Sequence, residues 1–333
     1  MAIDQNKDIE RWIEAEELES VLEPELPIID PHHHLWDLRK LNELGFRQEV
    51  YLCEEISNDI AQSGHNIHKT VFAQCGAFYR ADGPENMRCV GETDFANGIA
   101  AMSRSGLYGN TDLCAGIFSS ADMRLGESVQ AVLEAHLEAR QNFRGIRTAL
   151  PSELHSNFID AFGVVEKLGL TYDNWSPDFL RLPTLANLAR HFPGVTIVVN
   201  HLGGKIDVRA SDADKLSWRS TIETIAKCPN AVMKLGGAQM RVGEWEPHFH
   251  MNKIAIPQSS EDFLNDLLPF YAHAIDCFGP ERCMFESNFP VDKECISYRT
   301  LWNFFKKIAN QLGLSDTEKS SVFYDCAKST YKL

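Results

Sequence analysis

No run of eighteen apolar residues occurs in this chain, so nothing in it reads as a membrane-spanning helix. The stretch from Met1 to Glu25 is acidic and has no apolar core, which excludes a secretory signal there. No Cys-x-x-Cys pair is present. The nine cysteines are scattered and odd in number, as expected of reduced thiols in a cytoplasmic protein. Neither a G-x-G-x-x-G turn nor a G-x-x-x-x-G-K loop follows any early strand, so no dinucleotide or P-loop fold is indicated, and no organic cofactor is expected. Positive charge is scarce: 32 Lys and Arg face 47 Asp and Glu, a net −15. Nucleic acid and anionic membranes are therefore poor partners, and an anionic ligand would need locally placed arginine or lysine.

What the chain has is a hydrophobic content of 44% over 333 residues, ample for a large core. Short apolar runs rich in Val, Ile, Phe and Leu recur at 27–30, 69–75, 113–121, 143–149, 169–175, 196–201, 231–236 and 282–288. Amphipathic stretches such as 125–141, 178–191, 211–227 and 261–278 separate most of them, and Ser259-Ser260-Glu261-Asp262 fits a capping box. Continuous apolar strands alternating with helices predict a parallel sheet, and eight of them predict a closed (β/α)₈ TIM barrel. Residues 1–26 read as a helical lead-in that either seals the barrel's bottom or meets a partner subunit in a homo-oligomer. Residues 27–333 read as one barrel domain. Two long connections, 76–112 and 237–260, fall after strands and should cover the mouth. The second carries Trp245, His248 and His250 and is a candidate lid.

The first strand closes on Asp30-Pro31-His32-His33-His34. Side chains two apart share a face of a strand, so His32 and His34 stand together and His33 points away. Two imidazoles side by side make half of a metal site, or a cluster that polarises a carbonyl. Function in such a barrel sits at the strand C-termini. Reading those ends in order adds Arg147, then Tyr172-Asp173-Asn174-Trp175, His201, Lys234 and Glu286-Ser287-Asn288. Polar groups converging from six strands are poorly explained as core, because buried charge is costly unless paired.

In this ordered series the chain resembles the amidohydrolase-related family, in the branch of sugar-acid lactonases and the pyrone-dicarboxylate lactonase. The resemblance runs from about Ile28 to the C-terminus. It rests on the D-x-H-x-H opening, Phe143-Arg144-Gly145-Ile146-Arg147, Gly169-Leu170-Thr171-Tyr172-Asp173, Val199-Asn200-His201-Leu202-Gly203, Val232-Met233-Lys234-Leu235-Gly236, Ser287-Asn288-Phe289-Pro290 and Ala327-Lys328-Ser329-Thr330-Tyr331. It implies an amidohydrolase-like barrel hydrolase whose functional histidines are His32, His34 and His201.

One position departs from the family pattern. Where the family ends its eighth strand in Ser-Asp-Trp-Pro, this chain has Asn288, and an amide cannot take a proton near neutral pH. The substitute carboxylate is then Glu286, two residues earlier on the same face, or Asp292 in the loop beyond. The loop residue is preferred because it could swing toward water. The expected reaction is hydrolysis of a small lactone or ester, with an anionic or polyhydroxylated substrate. Lys234 would stabilise the oxyanion, and Arg147, Tyr172, Asp173, Trp175, Trp245, His248 and His250 would contact the substrate. A divalent ion, Zn or Mn, would be held by His32, His34 and His201, although the loss of the aspartate weighs against one. The alternatives are a metal-dependent decarboxylase of a small aromatic or unsaturated acid, and a non-catalytic ligand-binding barrel.

Overall fold

A computed structural model describes residues 5–39, 46–139, 141–151 and 153–333. Eight parallel strands follow one another in chain order: β1 (Pro27–His33), β2 (Asn66–Ala73), β3 (Asp112–Ser119), β4 (Phe143–Thr148), β5 (Thr171–Asn174), β6 (Ile197–Val199), β7 (Ala231–Leu235) and β8 (Cys283–Phe285). The longer helices are α1 (Gln5–Glu14), α2 (Cys53–Ser63), α3 (Val90–Ser103), α4 (Gln130–Ala139), α5 (Ser156–Lys167), α6 (Leu182–His191), α7 (Asp212–Ala226), α8 (Ser260–Phe278) and α9 (Tyr298–Gln311), and two short ones, α10 (Asp316–Ser320) and α11 (Cys326–Thr330), end the chain's described course. The predicted TIM barrel is present. A short antiparallel ribbon, Trp36–Asp37 with Val50–Tyr51, stands outside it after β1.

Alternation along the strands sorts the apolar residues into two layers. Ile28, Phe72, Ile117, Ile146 and Tyr172 face the helices and belong to the large outer core. Ile29, Val71, Phe118, Val198 and Met284 face inward and pack with Cys326, Ala327 and Tyr331 from the C-terminal helical stretch. That stretch closes the floor: the Tyr331 ring stacks on Phe118 at 5.7 Å, and Arg144 Nε donates to the Tyr331 carbonyl at 2.5 Å.

The N-terminal lead-in does not lie beneath the barrel. Trp12 donates to Ile254 O at 3.2 Å, Ser297 Oγ donates to Glu16 at 2.6 Å, and Ser260 N donates to Glu19 at 2.6 Å. Lys306 Nζ donates to Leu22 O at 2.8 Å and to Glu23 O at 2.9 Å. These contacts run the segment along the starts of α8 and α9 and down the outside of α9. The capping box read at the start of α8 is formed, with Ser259 N donating to Asp262 at 3.0 Å.

Closure between β8 and β1 rests on few backbone bonds: Asn288 N to His32 O at 2.9 Å and His34 N to Phe289 O at 2.7 Å. Asp30 reinforces the seam. Its fully buried carboxylate accepts from Ser287 N (2.9 Å), Ser287 Oγ (2.6 Å) and Tyr298 OH (2.8 Å). Burial pushes its pKa up to about 6 despite those donors. The aspartate of D-x-H-x-H is thus the pin that joins first strand to last.

Candidate active site

β6 and β8 are shorter than their apolar runs because the chain bends sharply after each. His201 (φ +55°), Leu202 (φ +53°) and Asn288 (φ +54°) all take left-handed backbone conformations. Such strain concentrates at functional sites. Asn and His tolerate this conformation better than most residues; Leu does so less readily. The Gly236-Gly237 pair after β7 makes room for the result. A Cβ on Gly237 would lie 2.4 Å from His201 Nδ1, and one on Gly236 would lie 2.3 Å from the Glu286 carbonyl oxygen.

His201 Nδ1 stands 2.6 Å from Glu286 Oε1, and its backbone N–H reaches the same oxygen at 3.3 Å. A carboxylate can only accept, so Nδ1 carries the proton and Nε2 is left as the bare, basic nitrogen. Burial depresses the His201 pKa, while the Glu286 charge raises it.

His32 lies beside this pair, with its ring centroid 4.5 Å from that of His201. Lys234 Nζ is 3.2 Å from His32 Nδ1 and 3.0 Å from Asp173 Oδ1. Glu286 Oε2 also lies 3.0 Å from His32 Nδ1, but out of hydrogen-bond line, so that oxygen has no hydrogen-bond partner among the described residues. With the Lys234 ammonium donating to Nδ1, neutral His32 carries its hydrogen on Nε2. That atom faces His34 Nε2 at 3.3 Å, and His34 Nδ1 donates to Ala73 O at 2.9 Å. The three groups form one directed chain, from Lys234 through His32 to His34.

Burial, then the nearby Lys234 charge, hold His32 well below the ordinary imidazole range; burial and Arg147 do the same to His34. Burial also lowers the Lys234 pKa, opposed by Asp173 and Glu286. Tyr331 OH donates to Asp173 Oδ1 at 2.7 Å, so the C-terminal plug supports the ion pair from below.

Above these groups opens a cavity of about 270 Å³. His34, Trp36, Phe46, Arg147, Trp175, His201, Arg241 and Asn288 are among its walls. Trp175 meets His201 edge-on at 4.9 Å. Arg147 Nη1 donates to Gln74 O at 2.9 Å, while its Nε–H is buried without a partner among the described residues. The adjoining wall, Cys75 to Ala77, is held by Glu92 on α3, whose Oε1 accepts from Cys75 N (3.0 Å), Gly76 N (2.8 Å) and Ala77 N (3.0 Å). Burial pushes Glu92 up to about 7.

The structure therefore gathers His32, His34, His201, Lys234, Glu286, Arg147, Trp175, Asp173 and Asn288 in one place. It puts the remaining candidates elsewhere. Tyr172 faces outward, its ring 4.9 Å from Phe162 and its OH on Thr148 O. Trp245 and His248 line a separate cleft of about 130 Å³, with His248 on Asp266 at 2.7 Å. His250 is buried against Glu294 at 2.7 Å, holding the β7 loop to the turn after β8. Asp292, preferred from sequence as the mobile base, is buried and accepts from Asn288 Nδ2 at 2.9 Å. Burial, opposed by that bond and reinforced by Glu286, raises its pKa well above the carboxylate range. Trp36, Glu92 and Tyr331 were not picked out as site residues from sequence. Trp36 follows His34 by two residues, a same-face signal that could have found it. Glu92 and Tyr331 carry no local signal.

A metal ion has a candidate donor set. Ligand atoms of His32, His201 and Glu286 lie within 4.8 Å of one another. The partnerless Glu286 Oε2 fits that use. His34 falls outside the compact group, although its Nε2 is 3.3 Å from that of His32.

Comparison with known proteins agrees with this geometry. A family model described as amidohydrolase matches residues 29–333. An uncharacterised protein of Sinorhizobium fredii, y4mH, is 30% identical over 93% of this chain and 99% of its own length. An L-rhamnono-gamma-lactonase of Scheffersomyces stipitis is 22% identical over 53% of this chain and 52% of its own. An amidohydrolase from Burkholderia multivorans, solved with bound Zn, superposes with a TM-score of 0.70 at 20% identity, covering 92% of this chain and 99% of that one. Among the described residues no helix is long and apolar enough to cross a membrane.

Proposed function

The chain belongs to the amidohydrolase family, and on that premise we propose that it hydrolyses a small lactone or ester by direct attack of water. The observation that carries the reading is the 2.6 Å contact from His201 Nδ1 to Glu286. It supplies an oriented general base on the cavity wall, at the site where the family's aspartate has become Asn288. His201 Nε2 takes a proton as water adds to the carbonyl carbon. The ring or ester C–O bond then breaks, and His201 returns the proton to the departing oxygen, giving a hydroxy acid from a lactone or an acid and an alcohol from an ester. Negative charge developing on the carbonyl oxygen is met by the field of the Lys234 charge held beneath the histidines. Lys234 is fully buried beneath the histidines, so it acts through them and does not touch the substrate.

His32, His201 and Glu286 are also the residues that would hold a divalent ion. Such an ion, when bound, supplies carbonyl polarisation and a more acidic water. Lys234 already places a positive charge 3.2 Å from His32 Nδ1, which disfavours a second cation beside it.

A panel of lactones and esters, followed by proton release with evolved carbon dioxide measured in parallel, tests the reading. Proton release without carbon dioxide supports hydrolysis, and carbon dioxide identifies a decarboxylase. Saturable binding without turnover would mark a ligand-binding barrel.

A further inference from the structure

The cavity's walls carry more information than its reaction centre. Among the described lining residues there is no Asp, Glu, Gln, Ser or Thr. In a chain of net −15, the Asp, Glu, Lys and Arg complement of this wall among the described residues is two arginines, Arg147 and Arg241. Apolar and aromatic groups make up most of the rest. Trp36 stacks on Phe46 at 5.0 Å and 22°, and on His34 at 6.0 Å and 17°, presenting a flat aromatic wall. Trp175 stands 4.9 Å from His201, on the same lining.

We propose that the occupant of this cavity is a flat, hydroxyl-poor ring compound bearing a carboxylate, and not a polyhydroxylated sugar acid or its lactone. The proposal rests on the reading of this cavity as the active site and narrows its substrate class. Each ring hydroxyl taken out of water needs a partner, and unpaired buried hydroxyls are penalised. The polar side chains available are largely committed: His34 Nδ1 to Ala73 O, His201 Nδ1 to Glu286 and Asn288 Nδ2 to Asp292. What remains suits an anion at arginine. Arg147 is suited to the anion. Its Nη1 is anchored to Gln74 O at 2.9 Å, which fixes the guanidinium plane, and its Nε–H has no partner among the described residues. A carboxylate pairs with such a fork in two parallel bonds. The cavity of about 270 Å³ equals roughly nine waters at about 30 Å³ each, which suits one ring with small substituents.

Binding of inert probes tests this without turnover. Benzoate, benzamide and gluconate are titrated into the wild-type protein by calorimetry. Benzoate is flat and anionic, benzamide flat and neutral, and gluconate anionic and polyhydroxylated. Benzoate should bind about tenfold or more tighter than either of the others, as expected of a charge-assisted pair added to ring stacking. Arg147→Gln, with its fold checked by circular dichroism, should erase the preference of benzoate over benzamide. Gluconate binding as tightly as benzoate overturns the proposal. So does benzoate binding no better than benzamide, or no binding by any probe. Benzoate binding in a protein that turns over no lactone would sink the hydrolase reading alone. Hydrolysis of a sugar lactone by a protein that ignores benzoate would sink this inference alone.

Discussion

His201 on the sixth strand end and Glu286 at the end of the eighth share a 2.6 Å hydrogen bond, and that bond moves the site's acid two residues from its place in the family pattern. Glu286 is fully buried and does not line the cavity, so it does not act on the substrate as a free base. It acts by fixing which imidazole nitrogen is basic. Replacing it with glutamine keeps the volume and removes the charge. Glu286→Gln should lower kcat by about 10²–10⁴ with a smaller change in KM. Glu286 also raises the His201 pKa against its burial, so the acid limb of the kcat/KM profile should move to lower pH. A steady-state pH profile of both proteins checks this; an unmoved limb would mean His201 is not the titrating base.

Gly237 has φ +65°, and a Cβ there would lie 2.4 Å from His201 Nδ1. Gly237→Ala should therefore displace the imidazole and cost about 1–3 kcal/mol from backbone strain. Activity should fall far more than that stability loss explains. Urea unfolding beside steady-state kinetics separates the two effects.

Restoring the family residue should not improve this enzyme. Asn288 Nδ2 donates to Asp292 at 2.9 Å, and an aspartate there would face a second carboxylate. Two such neighbours cannot both ionise cheaply. Asp292 is already held well above the carboxylate range. A carboxyl whose folded pKa is raised gives stability at low pH that is lost as pH rises through the raised value. Asn288→Asp should thus cost more stability at pH 8 than at pH 5.5, with no gain in turnover. Denaturation midpoints at the two pH values decide it.

The reach of sequence is clearest at the strand ends. The eight apolar runs were legible because a strand buried on both faces must be continuously apolar. D-x-H-x-H was legible because alternation alone pairs His32 with His34. The ends of β6 and β8 were not legible, since left-handed turns at His201 and Asn288 are imposed by what packs around them. The choice between Glu286 and Asp292 turned on one amide: Asn288 holds Asp292 back, and nothing local says so. Trp245, His248 and His250 read equally well as a lid, but a loop's course depends on its anchors, here Asp266 for His248 and Glu294 for His250. Tyr331 supports Asp173 from 158 positions away, beyond any periodicity.

Acid should destabilise the fold. Burial lowers His33 and His65 to about 3 and His136 to about 4, from an ordinary 6.5. Each contributes stability above pH 6.5 that is lost as pH falls toward its folded value, by about 1.4 kcal/mol per pH unit. Asp30 and Glu92, raised to about 6 and about 7, act in the opposite sense as pH falls from 7 toward 4. With His32, His34 and His201 also held low and Asp292 and Glu16 also held high, six histidine slopes outweigh four carboxyl slopes, so unfolding free energy should drop between pH 6 and pH 4.5. A flat or rising profile over that window would contradict the burial of these rings.

Turnover should survive chelation. Lys234 already supplies positive charge beside His32, so stripping divalent ions should leave kcat unchanged. Loss of activity on chelation that returns with added zinc would show the ion to be part of the chemistry.

The most direct measurement is turnover in ¹⁸O-labelled water. Any lactone or ester that the protein consumes should yield a product carrying a single ¹⁸O in its new carboxylate, seen as one mass shift, at a rate cut sharply by Glu286→Gln. A product without label, or labelling unaffected by Glu286→Gln, would contradict water attack directed by the His201–Glu286 pair.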